Sequence, residues 1–548
     1  GSSTASTTEN ASGEVSEAVV DESGKVDGVM YKVGLPLVDE GTYGFSIFCD
    51  DSKEKPEYYM LDEFKKQTNV DVEMRIFPYE TATERLNLDL NSGDYADVVG
   101  GWTLSDSMIL TYGVNQGVFI PLEDYFAEYC PRITEILDLP GVREEMTAPD
   151  GHIYSFPWIE QLGEGKEAIQ AIGNISYINK KWLDFLGLKV PETTEELEKV
   201  LIAFRDHAEE LKSEFDIEGD VIPMSFIINN GDQDPAILIN GFGEGYGDTG
   251  DHFAVTDEGK VIYTTVQEGY KEGIQWLHEL VEQKLVDPEA FTQEWSTYVA
   301  KGKSHRYGLC FTWDISNIDN YEDYVMLPAL AGPNGLVNIT RQNNSETSGF
   351  DRGRCVLTTS CKNTALAAAW IDQMYAPLQS PQNNWGTYGE KDSFNIFEMG
   401  TNKDGEKMLK HMDLGNESPV EVREAQSVNG PLAVLNEYYD VYVTQPADAK
   451  WRLDNMHETY LEDMHSKYVY PNVFMSIEDT NKVTQYDTDI RKYAEQKKAD
   501  WILNGGIEKE WDSYLKKMEQ YGLSDYLAIK QKYFDKYQES LKSEQGKE

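Results

Sequence analysis

Between Gly44 and Val99 the chain alternates two kinds of segment in strict succession. GFSIFCD (Gly44–Asp50) reads as a strand. Met60, Leu61 and Phe64 mark one face of a helix that starts near Tyr59. Asp71–Tyr79 alternates Val72, Met74 and Ile76 as a second strand. Thr81–Asn91 reads as a second helix, and Ala96–Val99 as a third strand. Parallel neighbours need a long crossover, usually a helix, so this order predicts βαβ units in an α/β fold.

The third strand ends at Gly100-Gly101-Trp102. In open α/β sheets, ligands sit just beyond the carboxyl ends of the strands. Glycines there let a ligand approach the backbone closely. Trp102 therefore reads as one wall of a cleft, and Phe48 and Asp50 stand at the equivalent end of the first strand.

A chain of 548 residues is too long for one core, so two large lobes are expected. The formal charge of −49 repels phosphate backbones, which argues against nucleic-acid partners and acidic membrane surfaces. No run reaches the ~18 apolar residues of a membrane span. The five cysteines are odd in number and widely spaced, and form neither a disulfide framework nor a zinc pattern. Whether Cys355 and Cys361 pair is left open by sequence. Residues 1–40 are rich in Ser, Thr, Glu and Gly. Such a stretch buries too little apolar surface to offset its ordering entropy, so it reads as a flexible tether.

Further along, a helix should start after Pro121, and Ala148-Pro149-Asp150-Gly151 should turn into a strand over His152–Trp158. A new strand covers Ile175–Ile178, so the first lobe crossing is expected between Trp158 and Tyr177. A capping box from Thr193 to Glu196 opens a helix with Leu197, Leu201 and Phe204 inside. Tyr270, Ile274, Leu277, Val281 and Leu285 form a later amphipathic stripe. The strand Tyr307–Asp314 ends in Trp313-Asp314, repeating the Trp102 pattern, and is read as the second crossing. Arg354–Thr358 and Ala365–Tyr375 then complete the first lobe. The C-terminal part reads as helical, with Ile490, Tyr493, Ala494 and Trp501 on one stripe. Gly505-Gly506 stops that helix, and Ile507, Trp511, Tyr514, Leu515 and Met518 form the next stripe. These readings give an N-lobe of 41–160 and 312–375 and a C-lobe of 161–311 and 376–548.

Catalytic signatures are sparse. GYGDTG (Gly245–Gly250) matches G-x-G-x-x-G, but a strand-like run, His252–Val255, follows where a dinucleotide site needs a helix. It reads as a loop. There is no P-loop, no H-E-x-x-H and no G-x-S-x-G. His457 and His465 read as ordinary helix residues. Neither Asp232 with Asp234 nor Asp216–Asp220 completes a calcium loop. What remains is aromatics at strand ends. Sugar rings present C–H faces that pack on indole and phenol rings, while their hydroxyls need acceptors such as Asp. Trp102, Trp158, Trp313 with Asp314, and Trp385 with Tyr388 fit that chemistry. The plain alternative for each is a core aromatic.

Seven segments, in this order, carry a family resemblance: LDEFKKQTNVDVEMRIFPY, GDYADVVGGW, GVFIPLEDY, TAPDGHIYSFPW, ISYINKKWLDFLGLKVPETTEEL, YKEGIQWLHELVEQKLVDPEAFT and ADWILNGGIEKEWDSYLKKMEQYGL. The chain resembles extracellular solute-binding proteins of bacterial ABC importers, the carbohydrate-binding family 1, and among them the large Gram-positive lipoproteins. The resemblance implies a periplasmic-binding-protein-like fold of two α/β lobes with crossover segments. It implies capture of an oligosaccharide by hinge closure and delivery to ABC permease subunits. It further implies a monomer held at the extracellular face of the membrane by lipid on a removed N-terminal Cys, and no catalysis. No cofactor is expected. Some large relatives carry a calcium loop after the helix matching Glu195–Phe204. Here HAEELKSEFDIEGDVIPMS lacks the D-x-N-x-N-G run, although a structural calcium ion stays open. The acidic charge favours a neutral ligand such as a mannan or xylan fragment. Arg341, Arg352 and Arg354 keep an acidic oligosaccharide or a peptide as alternatives, and a glycoside-active enzyme would need two carboxylates across a cleft.

Overall fold

A computed structural model of the chain describes residues 70–100, 104–162, 169–343, 349–388, 395–415, 417–426 and 432–546, together with Lys65 and the backbone of Thr7–Glu9, Val15–Glu17 and Thr42–Cys49. The tether reading of residues 1–40 and the helix expected from Tyr59 lie outside the described residues, apart from a short antiparallel ladder between Thr7–Glu9 and Val15–Glu17.

Ten strands build the two main sheets: β1 (Thr42–Cys49), β2 (Asp71–Pro78), β3 (Val98–Gly100), β4 (Phe156–Glu160), β5 (Ser176–Asn179), β6 (Ile222–Met224), β7 (Tyr307–Phe311), β8 (Tyr324–Met326), β9 (Phe350–Leu357) and β10 (Leu432–Val434). The first sheet has the order β10-β4-β9-β3-β1-β2 and the second β8-β5-β7-β6. They belong to two compact units. The first holds Gly1–Glu164, Gly349–Ala447 and Phe474–Thr480; the second holds Gly165–Ser348, Asp448–Val473 and Asn481–Glu548.

In the first unit β1 runs parallel to β2 and β3, as the βαβ reading requires. The helix Tyr79–Ser92 makes the crossover and stops at Gly93, whose φ of +83° suits glycine. The long strand β9 enters antiparallel between β3 and β4, with a bulge between Asp351 and Cys355. β4 begins at Phe156, four residues later than the His152 start expected from sequence. Ile153 instead makes a lone bridge to Thr147 that closes the 148–151 turn. One core packs helices Glu123–Tyr129, Pro131–Leu137 and Thr364–Gln373 on the sheet through Phe126, Phe156, Leu366 and Trp370. The Phe126 and Phe156 rings meet edge to face at 4.9 Å. Burying each such side chain stabilises the fold by roughly 1.5–3 kcal/mol.

Two expected boundaries move. Trp313-Asp314 lies inside the second unit, because the chain turns back there and adds β8 beside β5 before leaving at 348. Residues 376–447 stay with the first unit, because β10 pairs in parallel with β4 and continues that sheet. The first exit, between 164 and 165, falls within the stretch expected from sequence.

In the second unit, Thr193 Oγ1 accepts from the Glu196 amide at 3.0 Å, and Glu196 Oε2 accepts from the Glu192 amide at 2.8 Å. This cap starts the helix Thr194–Asp206, which buries Leu197, Val200, Leu201 and Phe204. The helix Glu268–Glu282 buries Tyr270, Ile274 and Leu277 as expected, with Trp276 and Leu280 in place of Val281. Three helices close the chain: Ile477–Asn504, Ile507–Gln520 and Leu523–Gln545. Gly505 and Gly506, at φ +78° and +99°, separate the first two. His457 lies in the helix Ala447–Tyr460, whereas His465 follows it in irregular chain. Cys130, Cys310, Cys355 and Cys361 are all buried free thiols, so Cys355 and Cys361 do not pair.

Candidate ligand-binding site

β7 is buried along its whole length and delivers Thr312, Trp313 and Asp314 at its carboxyl end. Asp314 caps a short turn, Ile315–Asn317. Its Oδ1 accepts from the Ser316 amide at 2.8 Å and the Ser316 hydroxyl at 2.7 Å. Its Oδ2 is buried with no partner among the described residues, and so are Thr312 Oγ1 and Trp313 Nε1. Buried polar atoms are normally paired, so three consecutive residues with unspent hydrogen-bonding capacity make this run a candidate for ligand contact. Asp314 is 1 % exposed. Burial raises its pKa to about 6, the nearby Asp448 carboxylate adds to this, and Ser316 and Arg452 act in the opposite direction.

The Trp313 ring is half-buried, and the Arg452 guanidinium sits 4.7 Å from its centroid. Arg452 is itself anchored. Nε donates to the Trp313 carbonyl at 2.6 Å, Nη2 to the Ile172 carbonyl at 3.1 Å, and Nη1 to the Ile169 carbonyl. Tyr177 donates to the same Trp313 carbonyl at 3.2 Å. The ring of Trp451, half-buried, stacks on Tyr177 at 6.3 Å and tilts on Tyr321 at 6.0 Å. Tyr321 is 48 % exposed. The Trp313 indole thus lies on an immobilised guanidinium, the Trp451, Tyr177 and Tyr321 rings form a second group, and Asp314 adds a carboxyl group with one free oxygen. That set can stack sugar C–H faces and bind hydroxyls; among these residues nothing is arranged as a nucleophile with its base.

The first unit holds a smaller group. Trp158 faces Asp351 of β9 and Leu432 of β10 in register. It is half-buried, its Nε1 has no partner, and the Arg354 guanidinium lies 5.4 Å from its ring. Trp385 is a different case: it is 3 % exposed and packs among Leu378, Phe397, Leu409 and Val434. Its ring meets His411 at 5.1 Å, so its surface is spent on the core. Tyr388 is half-buried against that same core and bridges to Phe397. Trp102 and Asp50 lie outside the described residues, and Phe48 is described only by its backbone pairing opposite Phe77.

The basic residues read from sequence as a cluster are divided. Arg352 grips Asp106 through Nε at 2.8 Å and Nη2 at 3.2 Å, and stacks over Phe474 at 4.1 Å. Arg354 approaches Asp351 at 3.9 Å, and Arg341 belongs to the second unit. The G-x-G-x-x-G stretch is a loop, as read. Its Asp248 is the centre of a buried charge network. Lys498 Nζ donates to Asp248 at 3.0 Å and to Asp234 at 2.7 Å, and His252 bridges Asp248 at 2.8 Å and Glu495 at 3.0 Å.

Sequence reading missed Trp451 and Arg452. They sit on the helix Ala447–Tyr460, which buries the stripe Ala449, Leu453, Met456 and Tyr460, and Arg452 lies beside that stripe. An adjacent Trp-Arg pair was the available signal, since Arg stacks on indole faces.

Residues 59–385 match the family model described as bacterial extracellular solute-binding protein. The chain is 43 % identical over 518 residues to the fructooligosaccharide ABC transporter substrate-binding protein FusA of Streptococcus pneumoniae, covering 94 % of this chain and 93 % of FusA. The structure of a FusA EF-hand mutant in complex with fructo-nystose superposes with a TM-score of 0.86, over 91 % of this chain and all of that one. A human-milk-oligosaccharide-binding protein from Bifidobacterium longum infantis, 20 % identical, shares the fold with a TM-score of 0.71, over 91 % of this chain and 99 % of its own. These relatives are solute-binding proteins, not enzymes.

An EF-hand in a relative raises the question of calcium here. Calcium sites need six to eight oxygen ligands. Among the described residues, no three His, Cys, Asp or Glu side chains converge to hold a metal. In the 216–220 segment Asp216 adopts the left-handed conformation, and the Asp220 carbonyl accepts from Arg306 Nε at 2.9 Å. Asp234 is spent on Lys498, Ala236 and Asn229. Among the described residues, neither of these two acidic segments supplies an EF-hand ligand set.

Proposed function

Because the chain belongs to the bacterial extracellular solute-binding proteins, we propose that it is the substrate-binding component of an ABC importer for a neutral, fructose-based oligosaccharide. The observation that carries this reading is the run Thr312-Trp313-Asp314. Its three unspent polar atoms stand beside the aromatic faces of Trp313, Trp451 and Tyr321. Trp313 and Trp451 supply stacking surface, Asp314 accepts from sugar hydroxyls, and Arg452 holds the Trp313 backbone in place. Trp158, with Arg354 behind its ring, is the matching candidate in the first unit. The 43 % identity to a fructooligosaccharide-binding protein replaces mannan or xylan as the preferred ligand class. Delivery to permease subunits, by a monomer lipid-anchored outside the cell membrane, completes the proposal.

Titration calorimetry with nystose, mannotetraose, xylotetraose, a galacturonan oligomer and a short peptide tests it. Saturable heat with nystose, without release of a cleaved product, is the expected outcome. Heat with only the mannan or xylan fragment would move the ligand class. Response to the galacturonan or the peptide alone would overturn the neutral-sugar reading.

A further inference from the structure

A cavity of about 370 Å³ lies wholly within the second unit, away from β7, and nothing in the reading above uses it. Its size falls at the lower end of the range of small-ligand sites, about 300–1,000 Å³. Lys530, from the helix Leu523–Gln545, lines it. Its ammonium stands over three rings, 4.1 Å from the centroid of Phe253, 4.8 Å from Tyr470 and 5.3 Å from Tyr526. The rings satisfy the charge but offer its three N–H donors no lone pair. Among the described residues no oxygen accepts from it and no carboxylate comes within ion-pair distance. Burial pushes its pKa down to about 8. Lys530 is half-buried, so its ammonium faces the cavity with its N–H donors directed at whatever enters it.

The surroundings fix the backbone that carries Lys530. Tyr470 donates to the Lys530 carbonyl at 2.8 Å, and Gln531 is tied to Gly259 at 2.8 Å and to the Val261 amide at 2.7 Å. Across the cavity, Asp487 holds Arg491 at 3.3 Å and accepts from Tyr526 at 3.4 Å. Both bonds are long, and each carboxylate oxygen keeps accepting capacity. Pro471, Val473 and Val483 supply apolar wall. We propose that this cavity is a second carbohydrate site that takes one neutral sugar or polyol unit. Lys530 Nζ donates to its hydroxyl oxygens, Asp487 accepts from its hydroxyl protons, and the apolar wall meets its C–H face. A neutral polyhydroxyl ligand is preferred over an anion because the Asp251 and Asp487 carboxylates balance the Lys530 and Arg491 cations around the cavity. The choice of a sugar rests on the transport reading; the cavity and its unpaired donor do not.

The test uses the full chain labelled with ¹³C at lysine Cε. Three aromatic rings shift the Lys530 signal away from the other lysines, and its loss in Lys530→Met identifies it. Fructose, sucrose and glycerol are titrated with and without saturating nystose, with sodium acetate and phosphate as anionic probes. The expected result is a saturable shift with fructose or sucrose that persists in the presence of nystose. Lys530→Met should abolish the second binding event while leaving nystose affinity within twofold. Val483→Phe, which narrows the cavity without touching the ammonium, should weaken sugar binding there at least tenfold. A Lys530 signal unmoved by any sugar while nystose binds overturns the second site and spares the transport reading. A shift with fructose but no nystose binding does the reverse. A shift with acetate or phosphate alone overturns the ligand class.

Discussion

Asp248 and Asp314 lie in the same unit and are equally buried, at 2 % and 1 % exposure, yet their pKa values are displaced in opposite directions. Burial alone would raise both. At Asp248 the charges of His252 and Lys498, with hydrogen bonds from both, hold the carboxyl well below its ordinary range. Thr264 Oγ1 adds a bond at 2.8 Å. At Asp314 only one oxygen is engaged, and burial wins, to about 6. A buried charge whose oxygens are all engaged is structure: it pins the helix Ile477–Asn504 to the 245–252 loop. A buried carboxyl with an idle oxygen, next to an idle indole N–H and an idle hydroxyl, is what the proposed binding site would use. Burial by itself separates neither case; completeness of hydrogen bonding does.

The largest effect that would sharpen this contrast is on stability. Lys498→Met leaves Asp234 and Asp248 buried without their cation and should cost about 3–5 kcal/mol in urea unfolding, with ligand affinity unchanged in the folded fraction. Trp313→Ala should do the converse. It should weaken nystose binding by about 2 kcal/mol, roughly 30-fold by calorimetry, with a smaller loss in unfolding midpoint. Normal binding by this variant would remove Trp313 from the site and break the comparison. Trp385→Phe, in a ring position already spent on packing, should cost about 1–2 kcal/mol of stability and no affinity. Asp314→Asn should weaken binding by about 1 kcal/mol and leave the protein no less stable at pH 8, because a carboxylate the fold disfavours is gone.

The pH profile carries the smallest signals, and their signs differ. Burial opposes the charge on His252, but Asp248 and Glu495 raise its pKa from 6.5 to about 9. Its contribution is complete below pH 6.5 and is lost as pH rises through 9. Asp248 contributes above its unfolded value of 3.8 and loses that contribution on acidification. Asp314 behaves in the opposite way. Between pH 3.8 and 6 the folded chain holds its proton more tightly than the unfolded chain, so stability falls with rising pH, and Asp314→Asn should erase that component.

The βαβ order, the Thr193 cap, the Gly505-Gly506 stop and the strand ending in Trp313-Asp314 were all legible, because each is a local pattern with a local cause. The unit boundaries were not. They depend on β8 and β10, three-residue strands whose partners lie far away in sequence and which leave no periodicity to read. Trp158 and Trp385 look alike as strand-end or loop aromatics. What separates them is whether distant chain fills the space around the ring, and for Trp385 residues 397, 409 and 434 do. Arg452's role could not be read for the same reason, since its partners Trp313, Ile169 and Ile172 are remote from it in sequence.

The placement of β9 and β10 also sets an order of events during synthesis. β4 has no neighbour among the strands that precede it. One of its edges is paired by residues 350–357 and the other by residues 432–434. Until that later chain has emerged, β4 offers two bare edges and β3 one, the condition under which nascent chains pair with the wrong partner. Folding dominated by such remote pairings is slow. A chain truncated before Leu432 would lack part of this sheet, which predicts aggregation and not a smaller folded unit as the fate of premature termination.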